Sequence, residues 1–419
     1  MSFLFLIYAL FVGWTGWNLS HPAFNNGRLA FVSFAAGLPA AELAPHIIFW
    51  QAIGLGFFAL FGGVWGIFGV IGLALCIYAW GTMAMKYYHG SRIAPLVHDA
   101  LVQGLGEGYE EEIKSEFRNR FVSEPSTQLI RHPFRHKDPD VETIKNISYG
   151  DFRQRLDIKR RQNSDTGLLD KDQLKPVLLH IHGGAWTIGK KDDGQAVPLM
   201  NTMAKQDWIC VSVSYRLSPD ATFPDHIIDC KQALVWIKEH IAEYGGDPDF
   251  IAVTGGSAGG HLSSLVALSP NYAPFQPGFE NKDTTVQAAV PFYGIYDFAD
   301  RDQLFPNDSF SVLLEDSVMK LDFVGNEDLY DEASPVHHLT ETAPPMFVIQ
   351  GTLDSLVPVE MAREFVASLR ETSTQKSVYL EVPGAQHAFD LLPSPRSELV
   401  KFGVEKFLTW TYSQHLKSD

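Results

Sequence analysis

Two patterns of hydrophobic residues divide the chain near residue 85. Before that point, apolar residues run almost without interruption over residues 3–17 and 47–80, and the second run spans 34 positions without a charged side chain. As a single helix that run would extend about 51 Å, against a bilayer hydrocarbon core of about 30 Å. We therefore predict membrane-anchoring helices in residues 1–85, with the long run either broken into a hairpin at Gly62 and Gly63 or partly buried elsewhere.

The residues around these runs indicate how such an anchor is arranged. Residues 28–44 are apolar but interrupted by Pro39, which favours an interfacial or re-entrant segment. No basic residue precedes Arg28, so the start of the chain lacks the basic segment of a secretory signal peptide. Lys86 and Arg92 follow the last apolar residues, and the positive-inside tendency predicts that everything after them lies on the cytoplasmic side.

Beyond residue 85 the pattern becomes that of a globular domain. Residues 86–140 read as an acidic connector helix followed by a loop, and residues 141–419 alternate between strands and helices. Helical patterns occupy residues 225–244 and 358–371, and another follows residue 257. Short apolar runs predict strands at residues 144–149, 155–159, 177–181, 209–213, 251–254, 286–290, 346–350 and 377–381. This alternation predicts an α/β fold with a doubly wound, mostly parallel sheet.

One connection in this domain is unusually long. Residues 293–342 are irregular, and they carry the apolar side chains of Phe305, Phe310, Leu313 and Leu314. Long connections of this kind often cover a binding site. We predict that part of this segment forms a cap.

Charge and cysteine content narrow the possible classes of protein. The formal net charge is -16, and Arg28 and Glu42 are the only charged residues before Lys86, so the excess of acid lies on the globular part. An acidic surface argues against nucleic-acid binding. The three cysteines, Cys76, Cys210 and Cys230, have neither metal-ligand spacing nor a pattern typical of disulfides. We predict no metal and no organic cofactor.

A candidate nucleophile lies where a strand meets a helix. The strand at residues 251–254 runs into Gly255-Gly256-Ser257-Ala258-Gly259, and an apolar helical pattern follows at once. A G-x-S-x-G nucleophile elbow has this context, because the serine occupies a strained turn that only small neighbours permit. The motif alone is equally compatible with an ordinary glycine-rich turn.

Two further strands end in residues that complete a catalytic set. Asp354 follows the strand at 346–350, and His387 follows the strand at 377–381. The chain order Ser257, Asp354, His387 is that of α/β-hydrolases. The rival residues fit less well: His261 is too close to Ser257, His337 and His338 precede the acid, Asp297 comes one strand early, and Asp390 is too close to His387.

The strand at 177–181 ends in His182-Gly183-Gly184-Ala185-Trp186. Glycines at such an edge let backbone N–H groups approach a ligand, as an oxyanion hole requires. We predict that the N–H groups of Gly183, Gly184 and Ala258 form that hole. His182 is then expected to orient the loop and not to act as the base. On its own this loop is better explained as a turn that needs positive φ.

Several segments together resemble one enzyme family. HGGAW at His182, SVSYRLSP at residues 212–219, FPDHIIDC at 223–230, GGSAGG at Gly255, GTLDSLVP at Gly351 and GAQHAF at Gly384 resemble the hormone-sensitive lipase branch of the α/β-hydrolases, bacterial family IV esterases included. The resemblance covers residues 144–415. Ala185 stands where family IV enzymes usually have a third glycine, a change also found in enzymes similar to kynurenine formamidase and isoprenylcysteine methylesterase. SFAAGLPAAEL at Ser33 is similar to membrane-associated actinobacterial esterases of the mycobacterial type.

The resemblance and the site residues together predict a membrane-anchored serine carboxylesterase or lipase of the α/β-hydrolase fold. The expected substrate is a lipophilic or small acyl ester, and the expected partner is the lipid bilayer. Two alternatives remain open: an amide or formamide hydrolase of the kynurenine formamidase type, and a membrane scaffold whose hydrolase domain is inactive. Acyl chain length and oligomeric state do not follow from the sequence.

Overall fold

A computed structural model describes residues 1–121, 124–135, 137–150, 152, 154–162 and 173–418. Its centre is one eight-stranded sheet of order β1-β2-β4-β3-β5-β6-β7-β8. The pairs β1–β2 and β2–β4 are antiparallel, and the other five pairs are parallel. The mostly parallel sheet predicted from the alternation of elements is therefore confirmed. The strands are β1 (Val141–Ser148), β2 (Arg155–Arg161), β3 (Lys175–Ile181), β4 (Ile209–Ser214), β5 (Gly246–Gly256), β6 (Ala288–Phe292), β7 (Met346–Gly351) and β8 (Ser377–Val382).

Helices cover both faces of the sheet, because alternate strand side chains point to opposite sides. The helices beyond residue 93 are α5 (Ala94–Leu105), α6 (Tyr109–Glu112), α7 (Ser115–Arg118), α8 (Thr127–Arg131), α9 (Val197–Lys205), α10 (Asp225–His240), α11 (Ala258–Leu268), α12 (Ser309–Leu313), α13 (Glu327–Ala333), α14 (Val359–Thr372) and α15 (Pro395–Ser418). On β3, Val177 and Leu179 pack in one apolar core with α10, α11 and α14, while Leu178 packs in the other with α5, α9 and α15.

The first ninety residues form four helices, α1 (Ser2–Asn18), α2 (Gly27–Glu42), α3 (Ala44–Leu60) and α4 (Gly66–Gly90). The long apolar run is broken between α3 and α4, where Gly62 has a φ of 74°. The stretch Gly66–Leu105, which contains α4 and α5, is long and apolar enough to cross a membrane, and 18 consecutive residues within it have a mean hydropathy of 1.9. A second candidate is the pair α2 and α3, which are bent by 99° at their junction.

Close packing joins α1 to α4. A Cβ placed on Gly16 of α1 would overlap the backbone of Ala79 on α4, and one on Gly72 of α4 would overlap the ring of Phe5. Small residues that let two helix backbones approach are typical of helix pairs in membranes. The α1–α4 contact therefore depends on glycine at these positions.

The sequence prediction missed several helices and one set of breaks. It did not anticipate α9 or α15, whose apolar residues are buried on the sheet, or the shorter helices α8, α12 and α13. The connector contains the four short helices α5 to α8 and not one helix, and it turns between α5 and α6, where φ is positive at Gly106 (110°) and Gly108 (81°). The helix α2 runs through Pro39 without ending there.

Candidate functional site

Ser257 lies at the turn between β5 and α11. Its backbone has φ 59° and ψ −122°, a conformation that costs energy for any residue with a side chain. The turn is so tight that a Cβ on Gly259 would overlap the backbone carbonyl of Ile181, and one on Gly255 would overlap that of Gly259. The two glycines of the motif are thus required by the packing of strand against helix.

Asp354 and His387, which follow β7 and β8, contact each other directly. His387 Nδ1 and Asp354 Oδ2 are 2.7 Å apart, and both side chains are almost fully buried. Asp354 Oδ1 accepts the backbone N–H groups of Leu356 (2.9 Å) and Val357 (2.8 Å), which fix the carboxylate. Gln350 Nε2 donates to Asp354 Oδ2 at 3.1 Å. The loop therefore holds the acid in the orientation that the imidazole needs.

Ser257 and His387 line the same cavity, with a volume of about 460 Å³. Among the described residues, no hydrogen bond joins Ser257 Oγ to the imidazole of His387. Catalytic hydrogen bonds are often long in proteins without substrate and shorten only in the complex. The ring of His387 lies against Tyr293 (4.6 Å between ring centres) and edge-on to Phe34 (5.8 Å).

The glycine loop after β3 differs in one respect from the prediction. The N–H of Gly183 donates to Gln195 Oε1 at 2.7 Å, so it is already engaged and is not a free oxyanion donor. In the described part of the chain, the N–H groups of Gly184, Ala185 and Ala258 have no acceptor. The set predicted from the sequence is therefore corrected at Gly183. The sequence alone does not indicate that Gln195, twelve residues further along the chain, accepts a hydrogen bond from this N–H group.

His182 faces away from the reaction. Its Nδ1 lies 2.9 Å from the carbonyl oxygen of Gly183, and its ring stacks on Tyr215 at 4.4 Å. Burial disfavours the charged imidazolium and lowers the pKa of His182. The side chain thus packs within the loop.

The rival residues have other partners. His261 bonds to the carbonyl oxygen of Ala333 at 2.8 Å, and burial lowers its pKa to about 3. Asp297 accepts the backbone N–H groups of Ala299 and Arg301. Asp390 bonds to the hydroxyl of Tyr293, and burial raises the pKa of its carboxyl group. His337 lies beside Asp331, and His338 Nε2 bonds to the carbonyl oxygen of Glu332.

The remaining lining of the cavity is mostly apolar. The long connection supplies Phe305, Phe310 and Leu313, while Leu314 is buried in the core. The helix α2 supplies Phe31 and Phe34, which the sequence prediction had assigned only to an anchor. Across the described residues, no three His, Cys, Asp or Glu side chains are placed to hold a metal ion.

The chain is similar to known ester hydrolases. The BD-FAE family model matches residues 168–369. "Probable carboxylic ester hydrolase LipM" of Mycobacterium tuberculosis is 55% identical over 278 residues, which cover 65% of this chain and 63% of LipM. "Esterase LipQ" of the same organism is 40% identical over 330 residues, which cover 78% of this chain and 76% of LipQ. The chain thus matches less than two thirds of the length of LipM.

A solved structure supports the same fold. A truncated carbohydrate esterase from gut microbiota superposes with a TM-score of 0.54 at 20% identity, covering 68% of this chain and 99% of that one. At this identity the similarity concerns the fold alone. The elbow, the glycine loop and the two loops after β7 and β8 therefore lie on an α/β-hydrolase sheet.

Proposed function

Because this chain belongs to the α/β-hydrolase family of carboxylic ester hydrolases that includes LipM and LipQ, we propose that it hydrolyses carboxylic esters through an acyl-enzyme formed on Ser257. The observation that carries the proposal is the 2.7 Å contact between Asp354 and His387, in the same cavity as a serine held at a strained turn. A nucleophile, a base and a residue that orients the base are the parts such a reaction requires.

In the proposed mechanism, His387 Nε2 takes the proton of Ser257 Oγ while the oxygen attacks the ester carbonyl. Asp354 stays ionised and holds the imidazole with Nδ1–H toward itself, which stabilises the imidazolium. Collapse of the tetrahedral intermediate breaks the bond to the alcohol oxygen, and His387 returns the proton to the departing alcohol. Water, activated by the same base, then attacks the acyl-enzyme and releases the acid.

The oxyanion of the intermediate is assigned to backbone N–H groups. The free donors near Ser257 are those of Gly184, Ala185 and Ala258, and the last also begins helix α11. Donors aimed at a developing negative charge are worth on the order of 3 kcal/mol each in the transition state. The engaged N–H of Gly183 serves the loop and not the oxyanion.

The N-terminal helices are proposed to anchor the enzyme in a membrane. The 25-residue helix α4 would extend about 37 Å, enough to cross a hydrocarbon core of about 30 Å. Its outward side chains, such as those of Ile67 and Ile77, are mostly exposed. Lys86 and Arg92 at its end favour a cytoplasmic catalytic domain. Retention of the full chain in carbonate-washed membranes tests the anchor.

The mechanism is tested with p-nitrophenyl esters and the full chain in detergent. Ser257→Ala is expected to lower kcat by a factor on the order of 10⁶. Ser264→Ala is the matched control, because this buried serine lies on α11, the helix that follows Ser257, and donates to the carbonyl oxygen of Gly260 at 2.8 Å. A fluorophosphonate probe should label the wild type and the control but not Ser257→Ala.

Other outcomes favour the two alternatives. Hydrolysis of N-formyl amides in place of esters, lost in Ser257→Ala, would point to a formamide hydrolase. No hydrolysis of either class and no labelling of Ser257 would point to an inactive scaffold. Ester hydrolysis that survives Ser257→Ala would overturn the proposed mechanism.

A further inference from the structure

The cavity beside Ser257 has two walls of different origin. One wall carries Ser257, His387 and the glycine loop, and it belongs to the sheet domain. The other includes four residues of α2, a helix of the apolar N-terminal region: Gly27, Ala30, Phe31 and Phe34. Membrane anchoring alone does not require a helix to line the cavity, so α2 has a second structural role.

Contacts along its length hold α2 against the sheet domain. Just before the helix, the carbonyl oxygen of Phe24 accepts a hydrogen bond from Asn307 Nδ2 at 2.7 Å. In its first half, the carbonyl oxygen of Ala30 accepts Ser355 Oγ at 3.0 Å, directly beside Asp354. At its last residue, Glu42 forms a buried ion pair with Arg396 of α15. The wall is therefore a fixed part of the fold.

The chemistry of the lining indicates what it binds. No Asp, Glu, Lys or Arg is among the described residues that line the cavity. Its lining is mostly apolar, with Phe31, Phe310 and Leu313 among the larger side chains, and the polar side chains beside them, such as Asn307, Ser309 and Ser355, are uncharged. A charged group placed there would lose its hydration without gaining a partner. An apolar chain would instead gain about 0.8 kcal/mol for each methylene buried, which is about fourfold in binding.

The opening of the cavity is also apolar. Phe31 and Ile188 both line the cavity and are nevertheless 59% and 68% exposed. A chain that extends from the serine toward the solvent can pack on these two side chains. Phe31 would then contact the far part of the substrate and not the reacting atoms.

We propose that α2 forms part of the acyl-binding site, and that the substrates are uncharged esters with a long apolar acyl chain that packs on Phe31 and Phe34. This inference rests on the proposed ester hydrolysis at Ser257. It makes the N-terminal region a determinant of chain-length selectivity. Phe34, whose ring also touches that of His387, positions the base as well as binding the chain.

The test compares Phe31→Ala with Phe49→Ala in the full chain in one detergent. Both positions carry an exposed phenylalanine of the apolar region, at 59% and 60%, but Phe49 on α3 does not line the cavity. The kcat/KM of each protein is measured on p-nitrophenyl esters from acetate to decanoate. Exposed side chains such as these can be truncated with little effect on folding.

We expect the kcat/KM of the wild type to rise by about fourfold for each methylene buried, up to the length that fills the cavity. Phe31→Ala should lower the value for decanoate about tenfold and that for acetate less than twofold. Phe49→Ala should change both less than twofold.

Three results would overturn the inference and leave ester hydrolysis standing. The first is that acetate is the best substrate. The second is that Phe31→Ala and Phe49→Ala lose long-chain activity equally, and the third is that Phe31→Ala leaves the chain-length profile unchanged. In all three cases the wild type hydrolyses esters and Ser257→Ala does not. If that hydrolysis itself is missing, the proposed function fails and the inference fails with it.

Discussion

The sheet domain and the N-terminal helices place their apolar side chains in opposite ways. Every residue of β7 is buried, whereas α3 buries only Ala44 and leaves Phe49, Trp50, Ile53 and Phe57 at least half exposed. Large apolar patches on a protein surface mark sites of contact with lipid or with another protein. The same residue types thus form a core in one region and an outer surface in the other.

The helix α2 belongs to both regions, and this explains the division of the cavity. The polar groups expected to carry the chemistry, among them Ser257, His387 and Asp354, come from the sheet domain. Much of the apolar surface comes from α2 and the long connection. Substitutions of the polar groups of the sheet domain should lower turnover for every ester. Substitutions on the apolar surface of α2 and the long connection should change chain-length selectivity or the packing of α2 against the sheet domain.

After the loss of Ser257 itself, the largest effect should come from Asp354→Asn. The amide cannot hold the imidazole in the required tautomer, so we expect kcat to fall by about 10⁴ for short and long esters alike. Asp297→Asn is the matched control, because that carboxylate accepts loop N–H groups and the hydroxyl of Ser334 and, within the described part of the chain, contacts no imidazole of the candidate site. Steady-state kinetics on acetate and decanoate esters measure both. A loss confined to one chain length would contradict the division between chemistry and binding.

The position of these polar groups was predictable because it depends on local signals. The strands at residues 251–254, 346–350 and 377–381 are visible in the sequence, and each is followed by its candidate residue. The role of Phe31 was not predictable, because it requires α2 to fold back over a sheet more than a hundred residues away. One signal existed: Glu42 is the only acid in the apolar region, and an isolated carboxylate there needs a partner.

The hydrogen bond that the N–H of Gly183 makes to Gln195 could not be predicted from the sequence either. The HGG motif indicates where backbone donors lie, but it does not indicate which of them a side chain already occupies. Here Gln195 Oε1, on the loop before α9, accepts the hydrogen bond of the Gly183 N–H. The order of strands in the sheet likewise depends on contacts between distant elements.

Glu42→Ala should have the next largest effect, on stability. The variant leaves the buried charge of Arg396 without its partner, which costs about 3–5 kcal/mol in the free energy of unfolding. It also removes the acceptor of Ser394 Oγ, 2.6 Å away. Thermal and urea unfolding in detergent measure the change. The double variant Glu42→Met/Arg396→Met should recover most of the loss, and a double variant as unstable as the single one would exclude the unpaired charge as its cause.

Gln195→Ala should have a smaller effect, on turnover. Without its side chain the N–H of Gly183 loses its acceptor, and the loop that presents Gly184 and Ala185 loses a support. A lost bond of this kind costs about 1–3 kcal/mol, so kcat should fall roughly tenfold for all chain lengths. Gln195→Glu keeps an acceptor oxygen and should retain more activity than Gln195→Ala. An equal loss of kcat in the two variants would show that turnover does not depend on an acceptor for the N–H of Gly183.

Ser355→Ala should have the smallest effect, and it tests how closely the two regions are coupled. The variant removes the hydrogen bond from Ser355 Oγ to the carbonyl oxygen of Ala30, the polar contact of α2 nearest to the acid. We expect a loss of about 1 kcal/mol in the free energy of unfolding. Turnover of the acetate ester should fall less than threefold, because Leu356 and Val357 still hold Asp354. A tenfold fall in kcat would mean that α2 also positions the acid, and that binding and chemistry are not divided between the two regions.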